Sequence, residues 1–370
     1  MKRILIVVWS NLNNSGGVQN GIKHMTSVLK DEFVFDIVTF FRVDPDNLGA
    51  YSIFDKIHCI PCNRSNKIAK LFEYLFRPLR LYRGAMRILG EVEYDVVHCH
   101  DLQLGAYFMR AAKQCNVPIR ICHSHNPDAV KKNDLFRKAY CTLLRPIVNK
   151  NSNVKIGCSK KACDYMFGEK TDGTFVVNNE LILADFDLNK YPRNDTGTVR
   201  FVHVGRFTYQ KNHDFLLDTF NYIHKRIKES SLTLVGWGEL ETPLKEKISQ
   251  YGIEEVVTFL PHTSNIPEVF SNADYMIFPS RFEGLGRVLI EAQAMGVMCF
   301  ASDVVPDETA LGCCKYFSLS DGYEKWGNRI IEFIQTGERE KYSINRELLS
   351  TFDINHVADK YAAIYRGEYN

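Results

Sequence analysis

The strongest constraint in this chain is an alternation of short apolar runs with longer amphipathic segments, broken once near the middle. RILIVVW, FVFDIVTFF, KIHCIP, YDVVHCHD, PIRICHSHN, VKIGCS and TFVVNN read as strands. GVQNGIKHMTSVLKD, LQLGAYFMRAAKQCN, LFRKAYCTLLRPIVNKN and KKACDYMFG read as helices between them. NKIAKLFEYLFRPLRLYRGAMRILGEV is also helical, with an interruption predicted at Pro78. The strands are near-continuously apolar, as in a parallel sheet covered on both faces. At 187–198, DLNKYPRNDTGT, the composition turns polar and includes Pro192 and Gly197, the signature of an interdomain linker. The alternation then restarts with VRFVHVGRF and runs through SLTLVGWG, VVTFLPH, DYMIFPS and MCFASD. No sequence repeat relates the halves; their symmetry is architectural. A chain of 370 residues exceeds what one core usually supports. Two doubly wound α/β domains are therefore expected, 1–186 and 199–350 about the linker 187–198, with 351–370 a final helix returning to the first domain.

Composition excludes several classes. A formal net charge of +2 argues against a nucleic-acid binder, and no apolar run reaches the ~18 residues of a membrane span. The N-terminal apolar run is too short for a signal peptide and lacks a cleavage site, so it reads as a first strand. Eleven cysteines at irregular spacing, without an export signal, point to reduced thiols in the cytoplasm. Cys59 and Cys62 form a lone Cys-x-x-Cys, with no second pair at zinc-ribbon spacing, and read as small residues at a strand end.

In open α/β sheets ligands bind beyond the carboxyl ends of the strands, so the loops after strands carry the chemistry. The segment PSRFEGLGRVLIEAQAMG holds Glu283 in a glycine turn and Glu291 in the helix that follows, with seven residues between them. Gly284 and Gly286 allow close backbone approach, and a helix N-terminus suits a phosphate. Each carboxylate can accept hydrogen bonds from vicinal hydroxyls of a sugar. After VRFVHV come Gly205, Arg206 and, five residues on, Lys211: a planar fork and a compact charge for a diphosphate. LVGWGE adds a tight turn at Gly236 and Gly238. SNLNNSGGVQNG places Gly16 and Gly17 between the first strand and its helix, but it is not the GxGxxG dinucleotide fingerprint, which disfavours a nicotinamide enzyme.

Together these motifs resemble a family 4 glycosyltransferase of the GT-B fold, two Rossmann-like doubly wound domains facing across a cleft, over nearly the whole chain. The family's Glu-x7-Glu motif matches Glu283–Glu291, its Gly-Arg…Lys motif Gly205, Arg206 and Lys211, and its Gly-Gly loop Gly16–Gly17. YDVVHCHD, RICHSHN and CSKKACDYMFG look closest to the bacterial branch that builds capsular and exopolysaccharides. The resemblance implies that Arg206 and Lys211 bind the diphosphate of a nucleotide-sugar, with UDP the expected carrier and GDP the alternative. It implies that Glu291 holds the ribose, that Glu283 holds the donor sugar, and that Gly284, Leu285 and Gly286 approach sugar and phosphate. Leu260 and His262 would lie beside the base. It further implies transfer with retention, no metal and no cofactor. A histidine at the end of a first-domain strand would lie near the reacting centre; RICHSHN offers His123 and His125, and the family pattern favours His125. A structural role suits His98 and His100 about as well, and a metal site among the four is allowed by composition but lacks carboxylate support. Where the family has a glycine turn before the linker, this chain has Glu180 in NNELILADF, so the demand on φ must be met differently.

The acceptor side should belong to the first domain. Residues 63–88 carry seven Lys/Arg and one Glu among Leu, Phe and Tyr, and 131–150 is also basic. Such surfaces can lie on an anionic bilayer. The family branch extends lipid-linked saccharides, so a saccharide or lipid-linked acceptor and peripheral contact with the inner face of the plasma membrane are expected. Two rival functions share the donor motifs: a GT-B nucleotide-sugar epimerase, and a partner-dependent nucleotide-sugar-binding subunit.

Overall fold

The computed structural model describes residues 1–13, 17–44, 46, 48–62, 67–125, 135–169, 171, 173–191, 197–261, 263 and 265–369; for 67–75 and 135–138 it describes the backbone alone. The chain forms two compact units, Met1–Glu180 with Ile354–Asn370, and Leu181–Asp353.

The first unit is a sheet of seven parallel strands: β1 (Arg3–Val7), β2 (Val34–Thr39), β3 (Ile57–Cys59), β4 (Val96–Cys99), β5 (Ile119–Ser124), β6 (Val154–Gly157) and β7 (Thr174–Val176). Their order is β3-β2-β1-β4-β5-β6-β7. Helices α1 (Gly17–Leu29), α2 (Lys67–Glu91), α3 (Leu102–Gln114), α4 (Leu135–Asn151) and α5 (Lys160–Phe167) connect them. Successive strand residues point to opposite faces, so Leu5 and Val97 join one core with α2, α3, α4 and α5, and Ile4, Ile6 and Val96 join a second with α1. Pro78 does not interrupt α2, which continues through it. Leu81, Ala85 and Ile88, spaced along one helical face, are fully buried, and that packing outweighs the hydrogen bond proline removes.

The second unit holds six parallel strands: β8 (Val199–Val204), β9 (Ser230–Val235), β10 (Val257–Leu260), β11 (Tyr275–Phe278), β12 (Met298–Ser302) and β13 (Cys314–Phe317), ordered β10-β9-β8-β11-β12-β13. Its helices are α6 (His213–His224), α7 (Glu241–Tyr251), α8 (Ile266–Ser271), α9 (Arg287–Ala294), α10 (Gly322–Gln335) and α11 (Arg346–Ser350). β13 and α10 have no counterpart in the sequence reading. The last helix, α12 (Ile354–Arg366), belongs to the first unit, where Val357, Tyr361 and Tyr365 are buried in the core beside α1.

The division falls at Glu180, earlier than the polar stretch suggests. Leu181 bridges to Asp353, and its N–H donates to the carbonyl of Phe352 at 2.7 Å. Phe186 and Tyr191 then pack on the core of the second unit, which draws the start of the polar stretch into that unit. Residues 192–196 lie outside the described residues.

Candidate functional site

In each sheet the strand order reverses beside the first strand, between β1 and β4 in the first unit and between β8 and β11 in the second. The loops leaving such a pair of strands diverge and leave a crevice for a ligand.

In the second unit the loop after β8 carries Gly205, Arg206 and Lys211, and the loop after β11 carries Glu283. Backbone and side-chain hydrogen bonds join the two loops. The N–H of Arg281 donates to the carbonyl of Gln210 (2.8 Å), Gln210 Nε2 to Phe282 (3.0 Å) and Asn212 Nδ2 to Pro279 (3.0 Å). Asn212 is left-handed, φ 57°, which turns the chain from Lys211 into α6. Lys211 and Glu283 meet directly, Nζ to Oε1 2.7 Å, with side chains 14% and 7% exposed. Nζ also lies 4.6 Å from the centroid of the Phe278 ring. Carboxylate and ring together balance a largely desolvated ammonium. Arg206 is exposed.

The glycines are required by close backbone approach. A Cβ on Gly236, in the loop after β9, would lie 2.1 Å from the carbonyl oxygen of Gly205, and one on Gly238 2.4 Å from that of Phe207. The N–H of Gly205 donates to Val235, and that of Phe207 to Trp237, at 2.9 and 2.8 Å. Two backbones thus run against each other at the mouth of the sheet. Gly284, Leu285 and Gly286 are buried, and Gly286 takes φ 90° as it opens α9. Glu291, one turn into α9, accepts a hydrogen bond from Arg287 Nε at 3.0 Å. Leu260 ends β10, and its carbonyl accepts from Gly236 at 3.1 Å. His262 lies outside the described residues.

Sequence reasoning missed a buried histidine pair behind this loop. His203 on β8 and His213 at the start of α6 have ring centroids 4.6 Å apart. Burial holds both neutral, His203 at about 4 and His213 at about 2, with Lys211 adding to each depression. The alternating pattern VRFVHV, with its histidine in a core position, is the signal for the first of them.

In the first unit, Gly17 lies in a pocket with Gly21, Glu180 and the four histidines of β4 and β5 and their loops; Gly16 lies outside the described residues. His125 Nε2 is 2.8 Å from His100 Nδ1, and burial lowers its pKa to about 4. His98 and His100 stack directly on one another and are part of the same cluster. Glu180 is buried, with Oε1 3.1 Å from His24 Nδ1. Among the described residues only Asn116 and Asn212 take positive φ outside glycine, so the turn at Glu180 needs no left-handed residue. Cys59 and Cys62 are half-buried at the end of β3, and among the described residues no disulfide is formed.

The profile of the family described as "Glycosyl transferases group 1" matches residues 186–341. The amylovoran biosynthesis glycosyltransferase AmsD of Erwinia amylovora is 38% identical over 308 residues, 82% of this chain and 81% of the relative. This chain is a glycosyltransferase of that family. The capsular polysaccharide biosynthesis glycosyltransferase CapH of Staphylococcus aureus is 24% identical over 76% of this glycosyltransferase and 79% of its own length. Among solved structures, HepE of Anabaena in complex with UDP matches at TM-score 0.76, covering 99% of this chain and 100% of its own at 15% identity, a likeness of GT-B fold. The epimerase reading finds no support among these relatives.

Proposed function

We propose that this glycosyltransferase moves a sugar from a nucleoside-diphosphate sugar to a growing surface polysaccharide, with retention at the anomeric carbon. The relatives named for amylovoran and capsular polysaccharide biosynthesis support the pathway. The observation that carries the donor site is the Lys211–Glu283 pair at the β8/β11 switch point, with exposed Arg206 on the same loop. A diphosphate entering there meets two cations and an existing carboxylate. Lys211 and Arg206 stabilise charge that develops on the leaving phosphate, Glu283 accepts hydroxyl hydrogen bonds from the sugar, and Glu291 accepts them from the ribose. The cationic pair supplies the charge that a metal supplies elsewhere. The leaving phosphate helps deprotonate the acceptor in a front-face route, and His125 of the first unit is the acceptor-side histidine. UDP is the favoured carrier, as it is the nucleotide bound by HepE.

The acceptor is lipid-linked in this reading. α2 and α4 both pack on α3; α2 exposes Phe76 and Leu79 with Arg83 and Arg87, and α4 exposes Leu143. Apolar anchors among arginines suit an anionic bilayer surface. Among the described residues no helix is long and apolar enough to cross a membrane, so attachment would be peripheral. A thermal-shift screen against UDP, GDP and their sugars tests the donor, because a ligand that binds only the folded state raises the melting temperature. One nucleotide diphosphate should shift the wild type. No shift at millimolar ligand would count against this donor site. Flotation with anionic and neutral liposomes tests the surface; equal recovery with both would remove the membrane claim.

A further inference from the structure

β4 and the loop after it carry His98 and His100, and β5 and its loop carry His123 and His125. Period two puts both members of each pair on one side of the sheet. The parallel register sets His98 opposite Ile121 and Cys99 opposite Cys122, so the next step sets His100 opposite His123. The four rings form one stack, with neighbouring centroids 3.9–5.4 Å apart. His98, His100 and His123 each bring a ring nitrogen within 4.8 Å of the others. We propose that these three histidines bind a divalent transition metal of the zinc class, with an open coordination position facing the pocket at the β1/β4 switch point.

Three observations support the site. First, orienting partners are in place for His98 and His100, as ligating histidines usually require on the nitrogen that does not ligate. The Tyr365 hydroxyl is 2.9 Å from His98 Nδ1, and His125 is 2.8 Å from His100 Nδ1, so both present Nε2. Second, Nε2 of His100 is buried without a hydrogen-bond partner, a costly state that a metal would relieve. Third, His98 Nε2 and His123 Nδ1 are 3.3 Å apart, close to the spacing of about 3.3 Å between two nitrogens about 2.0–2.1 Å from a tetrahedral zinc. An all-imidazole set favours zinc, copper or nickel over magnesium and calcium, and needs no carboxylate.

The site lies in the first unit, apart from the residues assigned to the diphosphate. A metal on His100 Nε2 would place the proton on its Nδ1, which then donates to His125 Nε2. His125 is thereby held in the tautomer that carries its own proton on Nδ1. Only this last consequence rests on the proposed role of His125.

The test is Co(II) titration of the full chain, purified without a polyhistidine tag and stripped with chelator, followed by visible absorption. The expected result is an intense four-coordinate ligand-field band that saturates at one equivalent and is displaced by Zn(II). His123→Ala and His100→Ala should each weaken Co(II) binding at least tenfold, while His203→Ala in the second unit retains it. Thermal melts of the variants separate loss of ligand from loss of fold. Absence of the band in the folded wild type would overturn the proposal without reference to any variant or to transfer activity. A band equally strong in both folded first-unit variants would do the same.

Discussion

Lys211 and Glu283 neutralise each other before any donor arrives. Their pair is mostly buried, and removing one member leaves a charge with no partner. Lys211→Ala is expected to cost about 3–5 kcal/mol in urea denaturation. Pairing Lys211→Met with Glu283→Leu should recover most of that loss, because the stranded charge is gone. Equal losses in the single and double variants would contradict this account of the pair. Both residues were legible as candidate ligands in the sequence, but their mutual contact was not. It depends on Gln210, Asn212 and Arg281, ordinary polar residues whose only role here is to join two loops distant in the chain.

At the scale of elements, the loops after β8 and β9 are pressed together at Gly205 and Gly236. Gly236→Ala must push these backbones apart, with an expected cost of about 2–3 kcal/mol and loss of the nucleotide-induced thermal shift. A folded variant with the full shift would show that the contact is not needed for the site. Behind the same loop, His203 and His213 are neutral in the folded state at pH values where free histidine, with a pKa of about 6.5, is charged. The unfolded chain therefore binds more protons between about pH 6.5 and 4, and stability falls as pH falls through that window; above it, their contribution is complete. His213→Phe should make urea stability less steep in pH by about 1.4 kcal/mol per unit between about pH 6 and 4. An unchanged slope would mean that His213 is not buried as described. Strand positions and the loops that follow them were legible from apolar alternation, whereas the order of the strands came only from the structure. β13 and α10 escaped because CKYF is short and half-buried, and GYEKWGNRIIEFIQ begins without a side-chain cap. Pro78 misled in the opposite direction, because tertiary packing of α2 overrode a local signal.

At the scale of the whole molecule, the chain builds the first unit, then the second, and returns to complete the first with α12. Removing 354–370 exposes the core beside α1, and burying Val357 and Ile364 alone is worth about 1.5–3 kcal/mol each. Limited proteolysis of the truncated chain should digest the first unit while a fragment spanning Leu181–Asp353 persists; equal resistance of both units would count against this division. The two units share an architecture but differ at their switch points, one lined with cations and carboxylates, the other with neutral histidines. Both sets of residues were named in the sequence, but the histidines acquire meaning as one cluster through a register that no single motif reveals. The β8/β11 switch point is the proposed seat of a nucleoside diphosphate. Isothermal titration of UDP and of uridine into the wild type, Arg206→Ala and Glu291→Gln tests it most directly. Arg206→Ala should weaken UDP at least about tenfold, the loss of a charge-assisted hydrogen bond, and leave uridine unchanged, while Glu291→Gln should weaken both. Undiminished UDP affinity in both variants would place the nucleotide elsewhere.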